Sequence, residues 1–329
     1  MSSTLDPARR AALMGGKLAS LVADAGHLAT RGPEPLGAGA ALVDDAGRAW
    51  VLLDAPPGQG LGGALAWALR HQATALHLLA TSGTGVLARR CQQLTLPVTV
   101  LHLEGRSQVL AIAEPLPPAA SATPAHRALI QLIAAGGADP VEEHAVVSGE
   151  VRGLEVCRVV DDATIGTVRL DVGIGVHDRE MFQMLHGDRP TVESLSEVVR
   201  TVDQHRRGAS HHPLRNLAAS RLLRHRLIAE PGLIGLDSLV AVEPPVARTN
   251  LKDEVPCVAF DRTTATVVVC VSGVDLEAVP FACDAIVQHG AGSCLVAAPD
   301  RDVLPIQQRL AGLLTVPTRF VPVALAMAS

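Results

Sequence analysis

Tyrosine is absent from this chain, and two Trp and four Phe are its only aromatic residues of the Phe/Trp/Tyr class. A surface that stacks unpaired bases needs aromatic faces at intervals, so base-stacking recognition is disfavoured. Lysine is almost absent too: Lys17 and Lys252 stand alone among 28 basic residues. With the abundance of Ala, Gly and Leu this reads as the coding bias of a GC-rich genome, and arginine content alone carries little functional weight. Long apolar runs are missing. No stretch reaches the roughly 18 residues that a membrane span needs, and Lys17 and Asp24 interrupt the N-terminal "ARRAALMGGKLASLVADAGHLA". A cytoplasmic protein with no membrane partner is the expectation.

Cysteine motifs are lacking as well. Cys91, Cys157, Cys257, Cys270, Cys283 and Cys294 include no C-x-x-C pair and no His at zinc-finger spacing. Most sit in apolar runs such as "VVVCVSG", where Cys behaves as a small hydrophobe, so buried reduced thiols are expected. No G-x-S-x-G, Walker A, HExxH or Cys–His nucleophile arrangement occurs. The net charge of −5 argues against a chain coated with nucleic-acid contacts, while leaving room for a local basic face.

What the chain does have is 48% hydrophobic residues, enough for a sizeable core. Leu18, Leu21, Val22 and Ala25 fall at helical spacing and predict an N-terminal helix within residues 1–35. Residues 36–115 alternate short apolar strands with helical segments: "AALVDDAGRAWVLLD" is a hairpin, and a helix, strand, helix and strand follow. Residues 255–329 repeat the order, with "LPVTVLHL" and "VPTRFVPV" in equivalent places. The expected fold is α/β, two similar ββαβαβ units from a diverged duplication flanking a central α+β segment at 125–240.

Four stretches carry chemistry. In "DAPPGQGLGG", Gly58, Gly60 and Gly63 formally match the dinucleotide fingerprint, but no acid lies between Asp54 and Glu104 to hold a ribose. A tight glycine turn is expected instead. "ATSGTGVLARR" reads as a Ser/Thr-capped helix whose basic end, Arg89 and Arg90, is exposed; the competing reading is an anion site. Residues 200–226 hold seven Arg and four His against one acid, Asp203. If Arg207, Arg215, Arg221 and Arg224 align across the break at Pro213, they form a phosphate-binding patch for DNA or RNA. Otherwise they meet the protein's own acids.

The fourth stretch is "VRLDVGIGVHDREMFQMLHGDRP". Val168, Leu170, Val172 and Ile174 alternate with polar residues or glycine, as along a strand with one buried face. Leu154 and Val156 likewise oppose Glu155. A hairpin through "DDATIG" brings Glu155 and Asp171 to one sheet face, where two carboxylates could hold Mg2+ or Mn2+ and activate water, assisted by His177 and Asp178. The competing reading makes these acids hairpin-edge and helix-cap groups.

This helix–strand–strand–strand–helix order resembles the core of the PD-(D/E)xK, restriction-endonuclease-like nucleases. The resemblance implies Glu143 or Glu142 as the first acid, Glu155 as the second and Asp171 as the third, with a lysine two residues on. Gly173 stands at that lysine position, so the resemblance also implies a degenerate centre or an arginine such as Arg169 as substitute. It covers about 80 residues in order more than in motif. Phrases such as "HGDRP", "HHPLRNLA" and "NLKDEVPCVA" resemble hypothetical proteins of GC-rich bacteria, which supplies no catalytic residues.

The leading expectation is therefore a nucleic-acid-associated protein with an atypical or degenerate metal-dependent nuclease-like centre. A second is a non-catalytic assembly or scaffolding protein whose duplicated units form a homodimer. A third is an enzyme that binds a nucleotide or small anion through a glycine loop.

Overall fold

A computed structural model describes residues 6–162, 166–175, 178–181, 192–207, 212–249 and 254–324. The protein is α/β, with helices accompanying three mixed or antiparallel sheets. Two compact units divide the chain: Met1–Leu116 with Asp275–Gln288 and Leu304–Arg319, and Pro117–Val274 with His289–Val303 and Phe320–Ser329. No described helix is long and apolar enough to cross a membrane.

The first unit begins with α1 (Pro7–Asp24), which starts on a proline at its first position and buries Leu18, Leu21 and Val22. These three pack on Leu42, Trp50, Leu52 and Leu79 of a six-stranded sheet. Its strands β1 (Glu34–Leu36), β2 (Gly39–Val43) and β3 (Ala49–Leu52) are antiparallel neighbours. β4 (Leu76–Ala80) and β5 (Val98–Glu104) continue in parallel, and β6 (Ser107–Leu110) returns antiparallel at the edge. The connections from β3 to β4 and from β4 to β5 are α2 (Leu61–Arg70) and α3 (Thr84–Cys91). The β2–β3 turn is built by Asp44, whose buried carboxylate accepts Ala46 N–H, Arg48 N–H and the Trp50 indole N–H at 2.9–3.0 Å.

The second unit opens with α4 (Pro124–Arg127) and α5 (Ile130–Ala135), then a four-stranded antiparallel sheet. Its strands are β7 (Asp139–Glu143), β8 (Val146–Val151), β9 (Leu154–Asp162) and β10 (Thr167–Val172). One face carries Val147, Val156, Cys157, Val159, Leu170 and Val172 into a core shared with Ile133 of α5 and with Leu195 and Val202 of α6 (Val192–Arg207). The tight β8–β9 turn uses Arg152 and Gly153, both at positive φ (47° and 77°). A Cβ on Gly153 would lie 2.3 Å from the Arg221 carbonyl carbon of α7 (Ala219–Ala229), so glycine is needed for approach as well as for φ.

α7 presents its opposite side, Leu223 and Leu227, to a five-stranded sheet. That sheet consists of β11 (Val240–Val242), β12 (Cys257–Asp261), β13 (Thr266–Cys270), β14 (Ser293–Pro299) and β15 (Thr318–Val323), side by side in chain order. The pairing senses of β11–β12–β13–β14 match those of β1–β2–β3–β4. Asp261 accepts Thr263 N–H (2.9 Å) in the β12–β13 turn, as Asp44 does in β2–β3. Leu53 N–H donates to Leu79, and Val271 N–H donates to Ala297, at matching places.

The helices of the C-terminal α/β segment, α8 (Ala278–His289) and α9 (Pro305–Ala311), contribute to the first unit. Asp284 of α8, 2% exposed, accepts from Arg89 Nε (2.9 Å) and Arg90 Nε (2.7 Å) of α3. The segments after α3 and α9 exchange reciprocal bonds, Thr95 N–H to Leu313 and Thr315 N–H to Gln93. Removing the shared acid leaves two buried guanidiniums uncompensated. Asp284→Ala is expected to lower stability by about 3–5 kcal/mol, read from urea unfolding; a loss under about 1 kcal/mol would mean that the arginines find other acceptors.

Candidate functional site

Glu155 and Asp171 do share a sheet face, but the strand needs an irregularity to bring that about. Asp171 is paired with Arg158, and Val172 with Cys157. Strict alternation would then put Glu155 on the core side. Between β8 and β9 the register shifts: Gly149 pairs with Cys157, whereas Glu150 pairs with Glu155. This β-bulge turns both Val156 and Cys157 inward and returns Glu155 to the face of Arg158 and Asp171.

On that face Glu155 is ringed by arginines. It is 5% exposed and accepts from Arg158 Nε and Nη2 (both 2.9 Å) and from Arg179 Nη1 (2.7 Å). Arg248 Nη2 stands 3.5 Å away. Burial opposes ionisation of Glu155, yet Arg158, Arg179 and Arg248 together outweigh it and hold its carboxyl below the ordinary glutamate range. Asp171 is held by Arg169 Nε (2.8 Å), which also reaches Asp162. Asp178 is exposed, and His177 lies outside the described residues. Among the described residues no group of three or more His, Cys, Asp and Glu side chains has the arrangement of a metal site.

Glu142 and Glu143 lie on β7, and only Glu143 joins this face. Glu142 accepts from Arg127 (2.7 Å) and from Ala122 N–H. Glu143 and Glu150 receive Arg221 and Arg224 of α7. Arg221 Nη1 lies 2.5 Å from Glu150 and its Nη2 bonds Glu143; Arg224 Nη1 lies 2.6 Å from Glu143. These arginines are 7% and 2% exposed. They are spent on the protein's own carboxylates and are not presented outward as a phosphate patch. Arg207 is exposed and paired with Asp203 within α6, and Arg215 belongs to a separate short helical turn after Pro213. The four arginines thus do not form one face.

The glycine loops resolve in the same way. Gly58 and Gly60 take positive φ in a tight turn, and the Gly62 N–H at the start of α2 donates to Glu277 Oε1 (2.8 Å). A carboxylate of the chain itself occupies the helix terminus where a dinucleotide would place its pyrophosphate. The basic end of α3, expected exposed, is buried: Arg89 and Arg90 are each 9% exposed because Asp284 and the Gly58 and Glu114 carbonyls draw them inward. No side chain caps α3, whose N-cap is Gly83. A cavity of about 210 Å3 in the first unit is lined by residues that include Glu34, Trp67 and His71, and by neither glycine loop.

All six cysteines are buried and none is joined in a disulfide, and burial pushes the Cys91, Cys157 and Cys294 thiols up to about 12.

No family model, curated protein or solved structure matches the chain.

Reasoning from sequence missed Glu150, Arg179 and Arg248 as members of the cluster. Glu150 carried a signal, as a polar residue between Val147 and Val151 on an apolar strand. Arg248 carried none, since it sits in the Pro-rich passage "AVEPPVARTNLKDEVP" outside any periodic segment. The ionised state of Glu155 gives a pH dependence whose sign is fixed. A depressed folded-state value contributes stability above the unfolded value, near 4.5, and loses it as pH falls through the folded value. Glu155→Gln is therefore expected to be less stable than wild type at pH 7, with the difference shrinking below pH ~4.5. Equal melting-temperature differences across the acid range would contradict an ionised Glu155.

Proposed function

We propose that the protein is a non-catalytic assembly protein that self-associates through the open edge of its first sheet. The observation that carries this reading is β6. It is an edge strand, and Val109, Leu110 and Ile112 in and after it are 46%, 66% and 87% exposed. Exposed edges are normally blunted by charge, proline or a bulge, yet "SQVLAIA" between Arg106 and Glu114 contains none of the charged residues or prolines that would do so. Antiparallel pairing of two copies about Leu110 sets Arg106 of each opposite Glu114 of the other, so the segment is complementary to itself in charge as well as in apolar character. Such an isologous contact closes on itself as a dimer.

The site chemistry agrees. Glu155 and Asp171 are neutralised by guanidiniums, and Arg207, Arg221 and Arg224 of the expected nucleic-acid patch are paired with carboxylates. Light scattering on an eluting size-exclusion peak tests the proposal. Wild type is expected at twice the monomer mass, and Leu110→Lys with Ile112→Lys at the monomer mass with an unchanged circular dichroism spectrum. A wild type that stays monomeric at high micromolar concentration would refute it.

One observation favours the nuclease-like reading: Glu155 and Asp171 occupy a common face, as that reading requires. It demands that Mg2+ or Mn2+ displace Arg158 and Arg179 from Glu155. With those bonds in place, no metal-dependent cleavage of labelled single- or double-stranded DNA is expected. Cutting by wild type that disappears in Asp171→Ala would restore a catalytic centre.

A further inference from the structure

Arg248 is buried without an adequate acceptor. Its side chain is 9% exposed, and among the described residues its Nη2 has only the 3.5 Å approach to Glu155 and its buried Nη1 has no hydrogen-bond partner. Arg206 shows what satisfaction looks like in the same unit. Its Nε also has no partner among the described residues, but Nη1 and Nη2 donate to three carbonyls, Leu214, Leu217 and Arg152, at 2.7–2.8 Å. A buried guanidinium left unpaired is costly, and native structures generally supply it with an anion or ordered water.

The reason for the deficit is local. Glu155 gives both oxygens to Arg158 and one of them also to Arg179, so little acceptor capacity remains for Arg248. Asp171, across the strand pair from Arg158, is taken by Arg169. Glu143 and Glu150 are taken by Arg221 and Arg224. Burial and the nearby Arg221 charge both push the Arg248 guanidinium below its ordinary range, against the pull of Glu155, Glu150 and Glu143. The site gains by taking up negative charge.

We propose that Arg248, Arg158 and Arg179 form a binding site for a phosphate monoester or inorganic phosphate, which replaces the long Arg248–Glu155 contact. Guanidinium forks match the oxygen spacing of such anions and bind them bidentately. Three guanidiniums face Glu155, and the face stays net positive even with the negative charge left over where Arg169 serves both Asp171 and Asp162. A monoester dianion near neutral pH carries about −1.5 to −2 and offsets more of these guanidiniums than the single charge of a nucleic-acid phosphodiester does. Arg158, about a third exposed, forms the solvent side of the cluster. The site is independent of how the edge of the first sheet is used.

The test is thermal unfolding of the full chain with inorganic phosphate, a nucleoside monophosphate, or a single-stranded oligonucleotide lacking terminal phosphates, each against chloride at equal ionic strength. Phosphate and the monophosphate are expected to raise the melting temperature saturably, and the oligonucleotide is not. Phosphate also stabilises proteins generally through exclusion from their surfaces, so Arg248→Met supplies the decisive control. This variant is expected to melt at or above the wild-type temperature without phosphate, since it removes an unpaired buried charge, and to lose the saturable shift. Arg248→Lys keeps the charge without the fork and is expected to weaken phosphate about tenfold or more, the scale of one charged hydrogen bond. Titration calorimetry of wild type with phosphate gives the same answer if a variant fails to fold. No phosphate-specific shift in wild type, or an equal one in Arg248→Met, overturns the proposal. A shift with the oligonucleotide alone overturns the monoester assignment.

Discussion

The second unit depends on a neutralisation problem. Its four-stranded sheet has one apolar face buried against helices, while the other face carries Glu143, Glu150 and Glu155, each nearly removed from water. Carboxylates cannot remain ionised there without cations. α7 supplies two of them and must turn to do so. Arg221 and Arg224, three residues apart, meet Glu143 and Glu150, whereas Leu223 and Leu227 point into the five-stranded sheet. Ion pairs of this kind add little net stability over an apolar core of the same volume, but they tolerate few geometries. They fix the rotation of α7 about its axis, and Gly153 fixes how close the β8–β9 turn comes to it.

The first unit solves its closure by the same chemistry with the signs exchanged. There a single buried acid, Asp284, holds two arginines of α3, and Glu277 caps the start of α2 through Gly62. Burial raises the Glu277 carboxyl, and its Oε2 has no hydrogen-bond partner among the described residues. The acids that close the two units therefore respond differently to pH. Glu143 and Glu155 stabilise as ions and lose that contribution in acid, whereas ionising Glu277 costs stability as pH rises through its raised range.

Most of what was legible in the sequence was periodic or local. α1 follows from Leu18, Leu21 and Val22, and the β2–β3 and β12–β13 hairpins from short apolar runs about a polar turn. The first and third sheets share the same pairing senses across four strands. What stayed hidden depends on partners distant in sequence. Asp284 lies nearly 200 residues from Arg89, so the basic end of α3 looked exposed. Residues 200–226 leave open whether their arginines meet phosphates or the protein's own acids, because Glu143 and Glu150 are 71–81 residues away from Arg221 and Arg224. Strand β7, "DPVEE", escaped notice because its proline and acids are unfavourable in strands, and tertiary pairing with β8 overrides them. The bulge at Glu155 left a trace, two consecutive inward residues in "LEVCRVV", whose meaning needs the register of β8.

Arginine richness, attributed at first to coding bias, acquires a physical use in these clusters. Arg221 bridges two carboxylates with one fork, and Arg158 engages both oxygens of Glu155. A lysine ammonium is a compact point charge and reproduces neither geometry. The same count of donors decides between the two chemistries that the face could support. A cation needs acceptor oxygens that are unspent, and those of Glu155 are spent. An anion needs donors that are unspent, and Arg248 Nη1 is one. The oxyanion proposed above uses those donors, whereas a divalent metal would first have to displace Arg158 and Arg179 from Glu155, although the two readings begin from the same acidic residue.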